Sequence, residues 1–446
     1  MSPCNYNRDQ VLALAPDDSS RKAGEGLASA RKWLNLGLDE RSLWGECQGS
    51  GSRPYQTCID LSEPAFKCSC PSRKFPCKHG LGLFLLHVSE PGVVTATEAP
   101  EWVLGWLDKR VESQEKKERK LKEGPKPIDG EAQAKRQAKR HANIEDGLAE
   151  LDRWLCDRIR QGLATVQAES YEFWDGMAAR MVDAQAPGMA RMLRACASIA
   201  SSGENWQERL LERLSTIHLA IQAYNRLPSL SPQMQSEVKQ VMGLTVNQDD
   251  VLGGTGVADI WQVMGQSIEL DDKLKVKRSW LRGGKTNKWA MVLSFAHGMQ
   301  PLDVSLMPGA FILAELAYYP GVLPMRALIK MRDGEPFAAP LTEVYADADA
   351  ALLDYAKARA ANPWLEVYPF SIESLAPVVV NGNFYLKDAR GNLLNTKIDR
   401  LNKLRLLSVS GGRPVCVFGE WDGASLRPLS MNNGERYFGL EAGIKS

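Results

Sequence analysis

The stretch "KCSCPSRKFPCKHG", residues 67–80, gathers Cys68, Cys70, Cys77 and His79 in a chain that holds nine Cys and five His in all. Thiolate sulfur and imidazole nitrogen are the donors of a tetrahedral zinc site. The order is C-x-C, a gap of six residues, then C-x-H. Residues two apart on an extended strand face the same side, so Cys68 and Cys70 can present sulfur to one ion. Residues two apart in a helix point roughly 200° from each other, so Cys77 and His79 cannot both lie inside a regular helix and share that ion. The pair must straddle a helix start, with Cys77 in the loop behind Pro76 and His79 in the first turn of "KHGLGLFLLHV". Leu81, Leu85 and Val88 then form a stripe for packing on the preceding strands. Four protein donors leave no position for water, which predicts one structural Zn2+. The ion would stand in for a core too small to hold by itself.

Three thiolates and a divalent ion leave a net negative charge, and Lys67, Arg73, Lys74 and Lys78 surround it. Their first expected role is to offset that charge and lower the thiol pKa values. The same four cations are candidate contacts for phosphate or for a partner. Cys47, Cys58 and His87 lie nearby and are read as core or surface residues, because the tetrahedron is already filled. Cys4, Cys156, Cys196 and Cys416 are scattered and are read as inert core residues.

The elements that position the cluster belong to a chain of 446 residues, which implies a multidomain protein. Residues 1–107 form an expected N-terminal domain, with the finger at about 53–90. In it, "RKAGEGLASARKWL" reads as a helix capped by Ser19 or Ser20. "LWGECQGSGSRPYQTCIDL" reads as two strands around a turn. Residues 108–141 carry twelve Lys or Arg against six Asp or Glu from Lys109 onward, a local charge of +6, and read as a net basic linker, part solvated helix and part disorder around "GPKPIDG". Residues 142–243 read as a helical domain, opened by a stripe at Ile144, Leu148, Leu151, Leu155, Ile159 and Leu163 and punctuated by Pro187 and Pro228. Residues 244–446 alternate short β-rich runs with Gly, Asn and Asp, and read as a β-rich α+β region interrupted by one helix, "ADADAALLDYAKARAA". The fold class is thus multidomain α+β: a small ββα zinc unit, a helical middle and a β-rich C-terminal region.

Residues 67–80 match the pattern of the SWIM zinc finger, C-x-C, a variable gap and C-x-H, with strands before it and a helix after it. Together with "AARMVDAQAPGMARML" and "RSWLRGGKTNKWAMVLSFAHG", the chain resembles the bacterial SWIM zinc finger proteins commonly encoded beside a MoxR-type AAA+ ATPase and a von Willebrand factor A-domain protein. The resemblance implies a zinc-bearing accessory or adaptor protein with those two kinds of partner. SWIM fingers elsewhere are credited with DNA or protein binding.

Other motifs do not hold. "RGGKT" at Arg282–Thr286 has Ser279 where a phosphate loop needs glycine, and reads as a hairpin turn. "GGTGVAD" at Gly253–Asp259 has Asp259 in place of the last glycine of a dinucleotide fingerprint, and reads as a loop. His218 and His297 have no neighbour in sequence that would make them bases or ligands, and Trp33, Trp154 and Trp206 read as core residues on helical stripes. With neither a G-x-S-x-G elbow nor an H-E-x-x-H pair, the chain is expected not to be an enzyme, and no small-molecule substrate is inferred. The near-neutral formal charge of +1 gives no whole-molecule pull toward a polyanion, and no apolar run is long enough to span a membrane. A cytoplasmic, non-enzymatic adaptor that binds proteins is the leading expectation. The alternative is DNA or RNA binding through the basic finger and linker.

Overall fold

The computed structural model describes residues 6–440 apart from 7, 13, 50–52, 63, 91, 124–129, 164–165, 167–168, 201, 204, 272–273, 298–299, 301, 338–343 and 435. Near the N-terminus, α1 (Arg8–Leu12) and α2 (Asp18–Glu25) precede an antiparallel sheet of β1 (Trp33–Leu38), β2 (Ser42–Cys47), β3 (Tyr55–Asp60) and β4 (Ala65–Cys68), paired in chain order. The sheet is thus four-stranded, wider than the strand pair expected. The helix expected over 21–34 stops at Glu25, where Gly24 and Gly26 weaken it, and Trp33 begins a strand instead of sitting on a helical stripe. Its cap is Asp17, which accepts from the Ser20 N–H, so neither serine caps it. The β2–β3 pairing runs from Ser42↔Asp60 to Cys47↔Tyr55 as expected, with residues 50–52 of the turn outside the described residues.

The helix after the cysteines, α3 (Lys78–Ser89), is buried from His79 through His87, not along one stripe. The sheet takes one face and α1 and α2 take another. A Cβ on Gly82 would stand 2.6 Å from Leu27 Cβ, and one on Gly24 2.8 Å from Leu81 Cβ, so α2 and α3 cross on two glycines.

The expected boundary at 107/108 falls inside α4 (Glu101–Glu123). Val103 and Leu107 pack on Trp44 and Cys58, and Arg110 binds the buried Asp60 at 3.1 Å. The start of the basic stretch is therefore anchored to the finger's sheet. The disorder expected around "GPKPIDG" concerns residues 124–129, which lie outside the described residues. Helix α5 (Gly130–Gln161) runs through the expected start of the helical domain at 142. It buries Ile144, Leu148, Leu151 and Leu155, whereas Ile159 is exposed and Leu163 lies past its end. Helices α6 (Tyr171–Asp183), α7 (Pro187–Ala200), α8 (Trp206–Asn225) and α9 (Pro232–Met242) pack on it around Trp174, Met181, Leu193, Leu210 and Ile217. Gly243, in the left-handed region at φ 86°, closes α9.

After α10 (Gln248–Gly253), strands β5 (Gly256–Asp271), β6 (Leu274–Gly283), β7 (Trp289–His297), β8 (Phe311–Tyr318) and β9 (Arg326–Phe337) close a barrel in the order β5-β6-β7-β9-β8. The barrel core is Trp261, Val263, Leu281, Ile312 and Leu316. Helix α11 (Ala348–Ala361) leads into β10 (Tyr368–Val380), β11 (Asn383–Asp388) and β12 (Leu393–Asn395). A second helix, α12 (Arg400–Ser410), which the sequence reading missed, precedes β13 (Val415–Trp421), β14 (Leu426–Asn432) and β15 (Tyr437–Gly439). These six strands form an antiparallel sheet, β12-β11-β10-β13-β14-β15. Buried Glu420 joins sheet to barrel, accepting from Arg278 Nη1 and Trp280 Nε1, each at 2.9 Å. "GGTGVAD" is only briefly a loop, because Gly256 already opens β5.

The finger region and the barrel share a core. Met307 and Ala310, on the barrel segment before β8, pack with Trp33, Leu43, Phe84 and Val94. Three barrel side chains hold that segment by its carbonyls: Lys277 on Asp303 at 2.9 Å, Gln266 on Leu306 at 2.6 Å and Arg332 on Ser305 at 3.4 Å. Among the described residues, no helix is long and apolar enough to cross a membrane.

Candidate metal centre

Strand pairing places the first ligand. Thr57 on β3 faces Cys68 on β4, and Thr57 Oγ1 lies 3.2 Å from Cys68 Sγ. The chain then folds back, with Ser69 N–H donating to the Gln56 carbonyl and Gln56 N–H to Ser69 Oγ, both at 2.9 Å. The strand expected to carry both cysteines stops at Cys68, and this turn instead brings Cys70 beside Cys68 and directs the N–H groups of Cys70 and Ser72 at the sulfurs of Cys68 and Cys70.

The second pair is placed by the start of α3. Cys77 is the N-cap, and its sulfur accepts from the Gly80 N–H at 3.5 Å. His79 stands in the first turn, as the spacing requires. One sulfur therefore both caps the helix and faces the site, and the positive end of the helix dipole favours its thiolate. A Cβ on Gly80 would stand 2.9 Å from Phe66 Cδ1, so glycine lets the helix start approach β4.

The four donor atoms of Cys68, Cys70, Cys77 and His79 lie within 4.8 Å of one another, and His79 Nδ1 is 3.7 Å from Cys68 Sγ and 4.0 Å from Cys77 Sγ. Tetrahedral zinc with the usual bond lengths separates neighbouring donors by roughly 3.5–3.8 Å. The residues fit the ion once the donors draw in by up to about 1 Å, and this finger can bind one zinc ion through three sulfurs and one nitrogen. Cys77 and His79 are buried and Cys68 and Cys70 half-buried. Cys70 and His79 also line a cleft of about 490 Å³ with Cys47, Tyr55, Ser72 and Lys78. The Tyr55 ring lies 5.1 Å from the His79 ring.

The electrostatics come from inside the cluster. The Cys77 thiol is pushed down to about 4, chiefly by a hydrogen bond with Cys68, helped by His79 and the Gly80 N–H. Cys68 is pushed up by its bond to Cys77 and by burial, and burial raises Cys70. In the metal-free protein the cluster thus holds protons that zinc must displace, which makes binding pH-dependent.

The flanking cations divide. Lys74 pairs with Asp17 at 2.8 Å and donates to Ser19 Oγ at 2.9 Å, so its charge is already matched by a carboxylate. Lys67, Arg73 and Lys78 are exposed and make no ion pair among the described residues. Cys47, Cys58 and His87 are buried and lie outside the four-donor group. Cys196 is buried, Cys156 and Cys416 are half-buried, and Cys4 is outside the described residues. Sequence reasoning missed Thr57, Tyr55 and Asp17; the first two lie two apart on β3, and that alternation beside the first ligand was their one signal.

The discarded motifs also find places. The "RGGKT" turn joins β6 to β7, and Asp259 takes its free groups: the Lys285 N–H at 3.0 Å, the Thr286 N–H at 2.8 Å and Thr286 Oγ1 at 2.6 Å. A carboxylate thus occupies the amides that a phosphate would need. His218 gains a partner distant in sequence, Asp152 on α5 at 2.8 Å, and His297 is exposed. Trp154 and Trp206 lie on helices against the bundle core, as expected.

Comparison with known families agrees with this geometry in two places. Residues 67–87 match the SWIM zinc finger, and residues 139–242 match the SWIM-associated four-helix bundle domain. No curated protein and no solved structure matches the chain.

Proposed function

We propose that this chain is a non-enzymatic adaptor of the cytoplasm in which a zinc-stabilised finger, joined to a barrel and accompanied by a helical bundle, presents surfaces to protein partners. The observation that carries the reading is the closed donor set. Cys68, Cys70, Cys77 and His79 supply all four positions of a tetrahedral ion, which leaves none for a substrate or an activated water. The co-occurrence of the finger with its associated bundle supports a dedicated protein of this kind. The resemblance set out above supplies the partner classes, a MoxR-type AAA+ ATPase and a von Willebrand A-domain protein. Co-purification of the tagged, zinc-loaded chain with those two proteins from the same genome tests it. A complex that survives changing Lys116, Lys117, Arg119 and Lys120 to Gln supports the adaptor, and failure to capture either protein contradicts it.

Nucleic-acid binding is the second reading, favoured by the exposure of Lys67, Arg73 and Lys78 on one finger. It requires affinity for labelled DNA or RNA that falls steeply between about 50 and 200 mM salt. It further requires that the same linker changes flatten that dependence.

A further inference from the structure

By the last turn of α3, whose first turn carries His79, a cleft of about 1200 Å³ is lined by Leu38, Asp39, Glu40, His87, Glu98 and Leu104, among others. Its charge is one-sided. Among the described residues no Lys or Arg lines it, and none occurs between His87 and Asp108 in sequence, where Glu90, Glu98 and Glu101 fall. Glu40 and Glu98 are exposed and form no ion pair among the described residues.

Two further observations point to a ligand. His87 is only 5 % exposed, lines this cleft, and has no hydrogen-bond partner among the described residues. A buried imidazole is normally paired, so one without a protein partner that lines a cleft is placed to meet a donor there. Burial also lowers its pKa, which favours the neutral ring with a nitrogen free to accept. Second, the cleft contains an isolated β-bridge whose bridging residue lines it. Ala96 bridges Leu38 in parallel, through Leu38 N–H to the Thr95 carbonyl at 3.2 Å and Thr97 N–H to the Leu38 carbonyl at 3.0 Å. In that pattern the N–H and C=O of Ala96, a lining residue of the cleft, point away from β1.

We propose that this cleft binds an extended, Lys- or Arg-bearing segment of a partner protein. The segment would pair its backbone along Ala96, place its cations among Asp39, Glu40 and Glu98, and donate to His87. An extended chain can pair with the backbone groups of Ala96 that β1 leaves unused, whereas this chain's own basic stretch is helical over Glu101–Glu123 and from Gly130 onward. The inference rests on the adaptor reading and locates one of its surfaces.

The test is fluorescence anisotropy of the full zinc-loaded chain with a labelled peptide of about eight residues alternating Val with Lys, long enough to form one added strand. The control replaces each Lys by Glu. The expected result is binding of the Lys peptide alone, weakened about tenfold or more in Glu40→Gln/Glu98→Gln, whose changes are on the surface and leave the fold intact. His87→Phe should weaken it further while retaining zinc. Equal affinity in the variants, or no binding of the Lys peptide, overturns the cleft. A chain that captures the ATPase yet ignores the peptide overturns this proposal alone, whereas loss of capture with peptide binding intact overturns only the proposed partners. Self-association through the cleft would show as a dimer dispersed by Glu40→Gln/Glu98→Gln, and would replace the partner protein with a second copy.

Discussion

Around Cys68–His79, four polar donors converge where side chains would otherwise pack, whereas the barrel closes on Trp261, Leu281 and Leu316, all fully buried. The finger's donors come from one stretch of twelve residues and need only a strand end and a helix start to converge. The barrel's core residues come from strands far apart in sequence, from Trp261 on β5 to Ala327 on β9, and meet only when the sheet closes. The difference is one of where the stabilising free energy resides. A metal centre concentrates it in one ion and four bonds; a barrel spreads it over apolar area. A local centre is therefore lost all at once and a distributed one by degrees.

Ion removal should give the largest effect. Cys70→Ala leaves three donors, and structural zinc in small fingers is worth about 10–16 kcal/mol of apparent binding free energy. Metal analysis should fall from one zinc per chain to none. Far-UV circular dichroism should still report the helical bundle, whose core shares no residue with the finger. Zinc retained at full stoichiometry would refute the ligand assignment.

The barrel should respond in proportion to what is removed. Trp261→Ala empties a fully buried site and leaves the Ala314 carbonyl without its 3.0 Å indole donor, at a cost of about 3–5 kcal/mol. Chemical denaturation should show that loss with the zinc content unchanged. Met307→Ala probes the join between the two regions and should cost about 2–4 kcal/mol. Because Met307 packs in the finger's core, the same variant should surrender zinc to a chelator several-fold faster than Trp261→Ala does. Equal chelation rates would mean that the shared core does not couple them.

Acid should separate the regions with the smallest perturbation. Protons compete with zinc for the cysteines and histidine, so the finger should release its ion first as pH falls. The barrel contains Asp259, where burial raises the pKa but the bonds from Thr286, Lys285 and Ile260 outweigh it and hold it below the usual carboxylate value. A depressed folded-state pKa gives stability that is present above the unfolded value of about 3.9 and is lost as pH falls through the folded one. Zinc release should therefore precede the barrel's acid transition. Asp259→Asn should flatten the barrel's loss below about pH 4, and coincident transitions would contradict the separation.

What could be read from residues follows the same division. Cys68, Cys70, Cys77 and His79 were legible because their spacing alone dictates that Cys77 and His79 straddle a helix start, whereas the extended strand expected through Cys68 and Cys70 stops at Cys68 and a turn brings Cys70 in. The bundle was legible from Ile144, Leu148, Leu151 and Leu155, whose period survives without knowledge of the partner helices. Helix α12 was not, since Leu401, Leu404 and Leu407 face solvent and Leu406 alone of its leucines is buried, so its apolar residues describe no buried stripe. Its signals were the Asp399 cap and Gly411. The strand at Trp33 was hidden by helix-favouring neighbours, and barrel closure by the distance in sequence between β5 and its partner β8. The His87 cleft needed the fold itself, because Asp39, Glu40 and Glu98 converge only after Ala96 returns to Leu38.

The most direct test of the central claim is zinc-edge X-ray absorption on the purified chain. The closed finger predicts one zinc surrounded by three sulfurs at about 2.3 Å and one nitrogen at about 2.0–2.1 Å, with no oxygen neighbour. A shell that contains a water oxygen, or fewer than three sulfurs, would mean an open metal site and would contradict the reading of this ion as structural.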